Sequence, residues 1–331
     1  MTQEAPRNRA VTSDIGYFWT TLQQIAVSRL RPEIPQGSKI VFFDFPVYGN
    51  VGDLMIWHGT LAWIRREKLV CQQTQTMLDR RFPSIDVNAI IICQGGGNFG
   101  DLYEHQDYRE EIVQKYPDNK IVFLPQTIFY KNQANLQKTA HILNQHSNLV
   151  IYLRDETSID IANTYFKNAK ILSCPDMASF LYPLLDTNQE ESREKYNRLY
   201  LKRLDIEQLP ETYTDDINID WQGDWRNINQ NEEFMIRLLQ AVYRLLPPLR
   251  NSSIIYNVWK KLSLHMICKS ARKFSIYQEI ITSRLHGHIL ALLVEKPVWL
   301  LDNSYGKNRD YYLLWHQDCP LVELVRPKNY L

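Results

Sequence analysis

The stretch EIITSRLHGHILALLVEKPVWLLDNSYGK, residues 279–307, predicts the fold because it reads as a strand, a helix and a second strand. Residues 280–282 end an apolar run, residues 285–294 repeat apolar side chains at helical spacing, and residues 298–301 form another apolar run. Ser283, Arg284 and His286 therefore fall at a strand-to-helix turn. Amide groups at a helix start attract anions, although a core helix with a solvated arginine and a capping histidine fits the same residues.

The same alternation of strands and helices continues outward along the chain. After a helix at residues 15–30, five short apolar strands are predicted between residues 38 and 185, at residues 39–44, 89–93, 120–124, 149–153 and 170–172. Their continuous apolar runs favour parallel strands covered on both faces. A polar segment, residues 186–198, fits a linker, and further strands are predicted at residues 199–202 and 254–258. This pattern indicates an α/β protein with two doubly wound, Rossmann-like domains facing each other across a cleft.

The domain limits follow from this pattern. We expect an N-terminal tail and helix in residues 1–37, a first domain in residues 38–185, the linker in residues 186–198 and a second domain in residues 199–331.

Composition excludes several classes of function. The formal net charge of the 331 residues is only +1, which gives no case for a nucleic-acid partner. The five cysteines are scattered and never form a CxxC pair, so we expect reduced thiols, a cytoplasmic location and no metal site. No signal peptide and no apolar run of about 18 residues is recognisable, so we expect no spanning helix.

Two glycine-rich stretches, YGNVGDLM at residues 48–55 and GGGNFGDLY at residues 95–103, follow predicted strands. Asn50 and Asp53 could bind hydroxyl groups, or could be only a turn residue and a helix cap. Gly95, Gly96 and Gly97 allow backbone amides to approach a ligand closely. The second stretch has neither the spacing of a phosphate-binding loop of nucleotide hydrolases nor that of a dinucleotide fingerprint.

Taken in order, a set of motifs resembles the polysaccharide pyruvyl transferase family. These motifs are Gly49 to Asp53, Gly95 to Tyr103, Leu153 to Glu156, Cys174 to Asp176, Ser283 to Gly287 and Asp302 to Lys307. Tyr200 to Asp205 is also similar to the basic strand that opens the second domain of family members. The resemblance implies a GT-B-like fold and transfer of pyruvate from phosphoenolpyruvate to two hydroxyls of a sugar, which makes a cyclic ketal.

The resemblance also implies roles for individual residues. Arg154, Arg284 and Lys307 match the basic residues that bind the donor, and amides at the start of the helix at Leu285 would assist them. His286 matches the family's histidine, and we assign it as the general acid. On the facing domain we expect Asp53 or Asp101 to act as the base. The acceptor sugar would contact Asn50, Gly95, Gly96, Gly97 and Asn98.

The partners expected are phosphoenolpyruvate as co-substrate, without a further cofactor, and a sugar acceptor carried on a lipid. From Phe234 to Gln278 the chain has no acidic residue. A basic set in this span could rest on anionic lipid at the inner face of the cell membrane, or could form a solvated helix face. It comprises Lys260, Lys261, Lys269, Arg272 and Lys273. Two other functions stay open, a GT-B glycosyltransferase that uses a nucleotide sugar and a non-catalytic carbohydrate-binding protein of the same fold.

Overall fold

The computed structural model describes residues 11–183, 195–203, 218–246, 252–302 and 306–325. Twelve strands lie in these residues: β1 Lys39–Phe43, β2 Val70–Thr74, β3 Ile90–Cys93, β4 Gly96–Gly100, β5 Ile121–Phe129, β6 Leu149–Leu153, β7 Lys170–Ser173, β8 Tyr196–Leu201, β9 Trp221–Gly223, β10 Tyr277–Thr282, β11 Val298–Leu301 and β12 Val322–Val325. The α-helices of the same residues are α1 Val11–Leu30, α2 Val51–Arg66, α3 His105–Lys115, α4 Gln133–Leu143, α5 Glu156–Tyr165, α6 Trp225–Ile228, α7 Glu233–Leu245, α8 Ser253–Ser275, α9 Leu285–Leu293 and α10 Lys307–Tyr311.

The strands form two sheets in which every pair of neighbours is parallel. The first sheet has the order β2-β1-β3-β5-β6-β7, with β4 paired to β5, and the second has the order β12-β11-β10-β8-β9. Helices connect most consecutive strands, as parallel pairing favours, but among the described residues no helix lies between β2 and β3 or between β3 and β4. The predicted fold class, two Rossmann-like α/β units in a GT-B-like architecture, is confirmed.

Two strands of the first sheet were not predicted. The edge strand β2 has the sequence VCQQT, and its polar, largely exposed side chains give no apolar signal. The other, β4, contains three glycines of the stretch that we expected to form a loop. Glycine is depleted in strands, so its composition argued against the structure that it adopts.

Two local predictions are wrong. Residues 254–258 are not a strand but part of α8, because the turns that follow bury Trp259, Met266 and Phe274 on one helix face. Helix α2 begins at Val51, and its cap is not Asp53 but Asn50, whose side-chain oxygen accepts a hydrogen bond of 3.1 Å from the Gly52 amide.

The predicted linker and domain limits remain predictions. Most of residues 186–198 lie outside the described residues, and β8 begins at Tyr196, inside the predicted linker. Residues 204–217 and 303–305, which include parts of two family motifs, also lie outside them.

The two sheets share one hydrophobic core, which runs from Ile40 and Val122 of the first sheet to Leu199 and Ile280 of the second. Helices of the two halves meet within it. The rings of Trp57 in α2 and Trp259 in α8 stack 6.4 Å apart, and His58 Nε2 lies 2.8 Å from Ser263 Oγ. Among the described residues, no helix combines the length and the apolar character needed to cross a membrane.

Candidate active site

The turn between β10 and α9 is fixed by hydrogen bonds from outside the turn. The Arg284 amide donates to Thr282 Oγ1 at 3.0 Å, and Asn308 Nδ2 donates to the carbonyls of Ser283 and Leu301 at 2.9 Å each. Gly287 has no space for a side chain, because a Cβ atom there would collide with Thr282 Oγ1. Leu285 is buried in the first turn of α9. The turn therefore presents the start of α9 in one rigid position.

Arg154 follows β6 directly and is fully buried. Its Nε donates to Thr127 Oγ1 at 2.9 Å, and its Nη1 pairs with the Asp176 carboxylate. Its Nη2 is buried without a hydrogen-bond partner among the described residues. A buried guanidinium nitrogen without a hydrogen-bond partner raises the free energy of the folded protein. An anion that accepts a hydrogen bond from Nη2 would therefore stabilise it.

Asp176 connects the two halves of the molecule. Its Oδ2 accepts from Arg154 of the first half and lies 3.3 Å from Nε2 of His286 in the second half, while its Oδ1 accepts from the Ala178 amide at 2.8 Å. Burial alone would raise the pKa of Asp176. The charges of His286 and Arg154 outweigh burial and hold this pKa well below its ordinary value. Asp176 is thus an anion at neutral pH that orients the imidazole ring.

The two glycine-rich stretches close the space around these groups. A Cβ atom at Gly97 would lie 2.5 Å from Lys307 Nζ and 3.2 Å from Arg154 Nη2, and a Cβ atom at Gly52 would lie 2.8 Å from His286 Nδ1. Only glycine lets the backbone come so close to these side chains. The structure therefore brings Arg154, Lys307 and His286 together at the carboxyl ends of both sheets, where ligands of α/β proteins bind.

Arg284 has a different environment. Its side chain is nearly buried and its Nη2 pairs with the carboxylate of Asp224, which caps the short helix α6 in the same half of the chain. The backbone of Arg284 caps α9 in an extended conformation. The predicted role of Arg284 in donor binding remains a prediction, and a ligand would share its guanidinium with Asp224.

The predicted acceptor residues surround Asp53. Asn50 Nδ2 donates to Asp53 Oδ2 at 2.8 Å, and a Cβ atom at Gly96, whose φ is +139°, would lie 3.6 Å from Asp53 Oδ1. Gly95 packs on β5, where a Cβ atom would lie 2.7 Å from the Pro125 carbonyl oxygen. Burial and the charge of Asp53 raise the pKa of the neighbouring Tyr48 hydroxyl. Asp53 thus belongs to a compact polar group.

Asn98 is held by a buried ion pair. Arg109 donates to Asn98 through Nη2 at 2.6 Å and through Nη1 to its carbonyl oxygen at 3.0 Å, and pairs with Asp44 at 3.0 Å. His105 Nδ1 lies 3.1 Å from the same Asp44 carboxylate. The side-chain oxygen of Asn98 therefore already accepts a hydrogen bond, so fewer of its hydrogen-bonding positions remain for a sugar.

Asp101 contacts a different part of the chain, the loop before α4. Its Oδ1 accepts from the Lys131 amide at 2.7 Å, and its Oδ2 accepts from the Asn132 amide at 2.9 Å and from Asn135 Nδ2 at 3.1 Å. Burial alone would raise the pKa of Asp101, but these hydrogen bonds lower it. The carboxylate braces the start of α4, and the predicted role of Asp101 as the base remains a prediction.

The sequence analysis did not assign Asp176, Asp224 or Thr127 to the site. Asp176 carried a signal, because it follows the last strand of the first sheet within a family motif, at the carboxyl end where ligands bind. Asp224 carried none, because it lies in an acidic segment that resembles a solvated surface.

The fold and site define a GT-B-like α/β protein with cationic side chains gathered between its two sheets. The family model described as polysaccharide pyruvyl transferase matches residues 50–305. The chain therefore belongs to the polysaccharide pyruvyl transferase family, and the resemblance found in its motifs is confirmed.

Two relatives agree with this assignment, and a solved structure shares the fold. The chain is 39% identical to "Putative pyruvyl transferase EpsO" of Bacillus subtilis (strain 168), over 91% of this chain and 92% of that protein. It is 27% identical to "Pyruvyl transferase 1" of Schizosaccharomyces pombe, over 86% of this chain and 71% of that protein. An uncharacterized protein of Klebsiella pneumoniae shares the fold, with a TM-score of 0.50 and 21% identity over 93% of this chain and 98% of its own.

Proposed function

We propose that the protein transfers pyruvate from phosphoenolpyruvate to two hydroxyls of a sugar in an exopolysaccharide or cell-surface glycan precursor, forming a cyclic ketal and releasing inorganic phosphate. Membership of the family supports pyruvate transfer to polysaccharide. One observation carries the choice of donor, the meeting of Arg154 Nη2 and Lys307 Nζ at Gly97 next to His286.

Phosphoenolpyruvate has a phosphate and a carboxylate close together, so it requires several fixed cations and amide donors. Arg154 offers a buried nitrogen without a hydrogen-bond partner among the described residues, and the Nζ of the buried Lys307 approaches the same point beside Gly97. Amides of the first turn of α9, from Leu285 onward, add further donors. Arg284 would complete the set from the same turn.

In the proposed reaction His286 protonates the methylene carbon of phosphoenolpyruvate, and this carbon becomes the methyl group of the ketal. Asp176 occupies Nε2, so Nδ1, the atom nearest Gly52, is the one that delivers the proton. The positive charge that develops at the central carbon is met by a first sugar hydroxyl, which forms a C–O bond and loses its proton to the base. The bond from this carbon to the phosphate oxygen then breaks, phosphate leaves with a proton from the enzyme, and the second hydroxyl closes the ketal and loses its own proton.

Asp53 is the base that the geometry favours. It lies beside Gly96 in a polar group with Asn50, on the half of the molecule that faces His286. Phosphoenolpyruvate is the co-substrate in this scheme, and no further cofactor is called for. We expect the acceptor to be a lipid-linked oligosaccharide that the enzyme meets at the cytoplasmic face of the membrane.

His286→Ala tests the assignment in a purified assay of phosphate release from phosphoenolpyruvate with an acceptor glycan. We expect a loss of about 10² to 10⁴-fold in kcat, the usual contribution of a positioned general acid. The exposed His141 supplies the matched control, since His141→Ala should leave turnover unchanged. Near-normal phosphate release by His286→Ala would exclude the assigned acid.

Ligand-induced stabilisation separates the proposal from its rivals, because only a bound ligand shifts the unfolding equilibrium. We expect phosphoenolpyruvate to raise the melting temperature. A rise with a nucleoside diphosphate but not with phosphoenolpyruvate would indicate a glycosyltransferase. Stabilisation by glycan alone, without turnover, would indicate a carbohydrate-binding protein. In cells, loss of the protein should remove the ketal methyl signal from the proton NMR spectrum of the polysaccharide.

A further inference from the structure

Helix α7 has two apolar faces, and the described residues cover only one of them. Ile236, Leu239 and Tyr243 are buried in the core. Phe234, Leu238 and Leu245 lie four and seven residues apart on another face, where 76%, 47% and 74% of their surface is exposed. Helical periodicity places these three in one stripe. Soluble proteins seldom expose an apolar stripe of this kind without a binding role.

The first turns of α8 also expose apolar side chains. Ile254 and Val258 lie four residues apart and are exposed. Tyr243 of α7 and Tyr256 of α8 both contact the ring of Phe45, at 6.0 and 5.5 Å between ring centroids. The buried faces of the two helices thus converge on one ring.

Further hydrogen bonds tie both helices to the same loop of the first half. Gln240 of α7 donates to the Val47 carbonyl at 2.8 Å, and Trp259 of α8 donates to the Pro46 carbonyl at 2.7 Å. We refer to the exposed apolar residues of the two helices together as the α7–α8 surface. It comprises Phe234, Leu238, Leu245, Ile254 and Val258.

The charges around this surface are basic. Arg237, Arg244 and Lys261 are exposed beside the apolar residues, and no acidic residue occurs between Phe234 and Gln278. The exposed acid Glu233, which pairs with Arg237, lies at the first residue of α7. The surface combines apolar side chains with positive charge, as proteins that lie on anionic membranes do.

The structure changes the set of basic residues expected to contact lipid. Lys269 pairs with Glu232 at 2.9 Å, and Lys273 Nζ lies over the rings of Trp221 and Tyr277, at 5.0 and 5.2 Å from their centroids. Lys260 is half-buried, and burial lowers its pKa. Of the five residues predicted, Lys261 and Arg272 remain exposed.

We propose that the α7–α8 surface docks the protein onto a membrane that contains anionic lipid, with the apolar stripe at the level of the headgroups and Arg237, Arg244 and Lys261 against their phosphates. A second copy of the chain fits less well. In a symmetric dimer the same patch meets itself, so these basic residues would face one another.

The position of the surface suits an enzyme whose acceptor is carried by lipid. The loop that α7 and α8 hold, residues 45–47, leads within a few residues to Asn50 and Asp53 of the acceptor side. The docking proposal goes beyond the proposed reaction and does not depend on it, because vesicle binding needs no turnover.

Vesicle flotation of the full-length protein tests the proposal. The unmodified protein should float with vesicles of phosphatidylcholine containing about 30% phosphatidylglycerol, more weakly with phosphatidylcholine alone, and less as salt rises from about 0.05 to about 0.5 M. The double variant Phe234→Ser/Leu238→Ser should lower the partition coefficient by about tenfold or more. Arg237→Glu/Lys261→Glu should weaken binding to the anionic vesicles selectively.

A matched control comes from two residues with the same exposure elsewhere on the chain. Tyr17 and Leu313 are 76% and 48% exposed. Tyr17→Ser/Leu313→Ser should float like the unmodified protein, and melting curves of both double variants should show that they stay folded. Three results would overturn the proposal: no flotation of the unmodified protein, equal loss in stripe and control variants, or a dimer in solution that Phe234→Ser/Leu238→Ser dissociates.

Discussion

Arg154 and Arg284 occupy equivalent places in the two halves of the molecule, yet their surroundings differ. Each follows an interior strand of its sheet and each pairs with an aspartate of its own half. The partner of Arg154, Asp176, also reaches His286 in the other half. The partner of Arg284, Asp224, instead caps a helix beside it.

The difference shows that one ion pair serves the junction between the halves and the other serves the packing of one half. Arg154 is fully buried and keeps Nη2 without a hydrogen bond among the described residues, and Asp176 is equally buried. Buried ion pairs often add little net stability, but breaking one leaves an uncompensated charge. Arg154 and Asp176 should therefore be sensitive to the loss of either partner.

Removing Arg154 should have the largest effect. Arg154→Ala should lower the free energy of unfolding by about 3 to 5 kcal/mol, because Asp176 stays buried without its cation. Arg284→Ala should cost less, about 1 to 3 kcal/mol, because its pair with Asp224 is closer to solvent. Urea unfolding of both variants measures the difference, and equal losses would contradict the distinction between the two pairs.

A double variant separates stability from catalysis. Arg154→Met/Asp176→Asn removes both charges and keeps an acceptor for the Ala178 amide. It should recover much of the stability that Arg154→Ala loses, since neutral side chains replace a buried pair at little cost. It should not recover turnover, because the donor cation and the partner of His286 are both gone.

The sequence predicted where Arg154 and Arg284 lie in the fold but not the aspartates with which they pair. Apolar runs identified β6 and β11 with their correct limits, and the motifs identified Arg154, His286 and Lys307, which the structure brings together. Local sequence could not show that Asp176 reaches His286, because residues 110 positions apart meet only through the packing of the two halves.

The predictions for Asp101 and for residues 254–258 both rested on local sequence alone. Asp101 looked equivalent to Asp53 because both follow glycines, but tertiary contacts direct its carboxylate to the loop before α4. Residues 254–258 looked like a strand because of their apolar and β-branched side chains. Burial of the following turns made them helical, since packing overrides local propensity.

The contrast between Asp53 and Asp101 gives the next effect in size. Asp53→Asn should lower kcat by about 10² to 10⁴-fold if Asp53 accepts the hydroxyl protons. Asp101→Asn should leave kcat near that of the unmodified enzyme and should lower the melting temperature slightly, because one acceptor for the α4 loop is lost. Phosphate release under saturating phosphoenolpyruvate distinguishes the two, and the reverse order would move the base to Asp101.

The smallest effect concerns the histidines that, unlike His286, have no carboxylate beside them. Burial, assisted by the charges of Lys260 and Arg65, lowers the pKa of His58 to about 3, and burial lowers the pKa of His316 to about 3. His316 Nδ1 lies 2.9 Å from Nε2 of the buried His288, whose pKa is lowered as well. These three side chains are neutral in the folded protein.

Their stability contribution has a definite sign. An unfolded histidine has a pKa of about 6.5, so between that pH and about 3 the unfolded chain binds more protons than the folded one. The stabilisation is complete above about pH 6.5 and is lost as the pH falls, by up to about 1.4 kcal/mol per pH unit for each histidine.

Urea unfolding between pH 7.5 and 5.5, above the range in which most carboxylates titrate, should show this slope. His58→Gln keeps a polar partner for Ser263 and should reduce the dependence of the unfolding free energy on pH by the contribution of one histidine, up to about 1.4 kcal/mol per pH unit. His141→Gln, at an exposed site, should leave this dependence unchanged. An unaltered slope in His58→Gln would show that His58 is protonated in the folded protein.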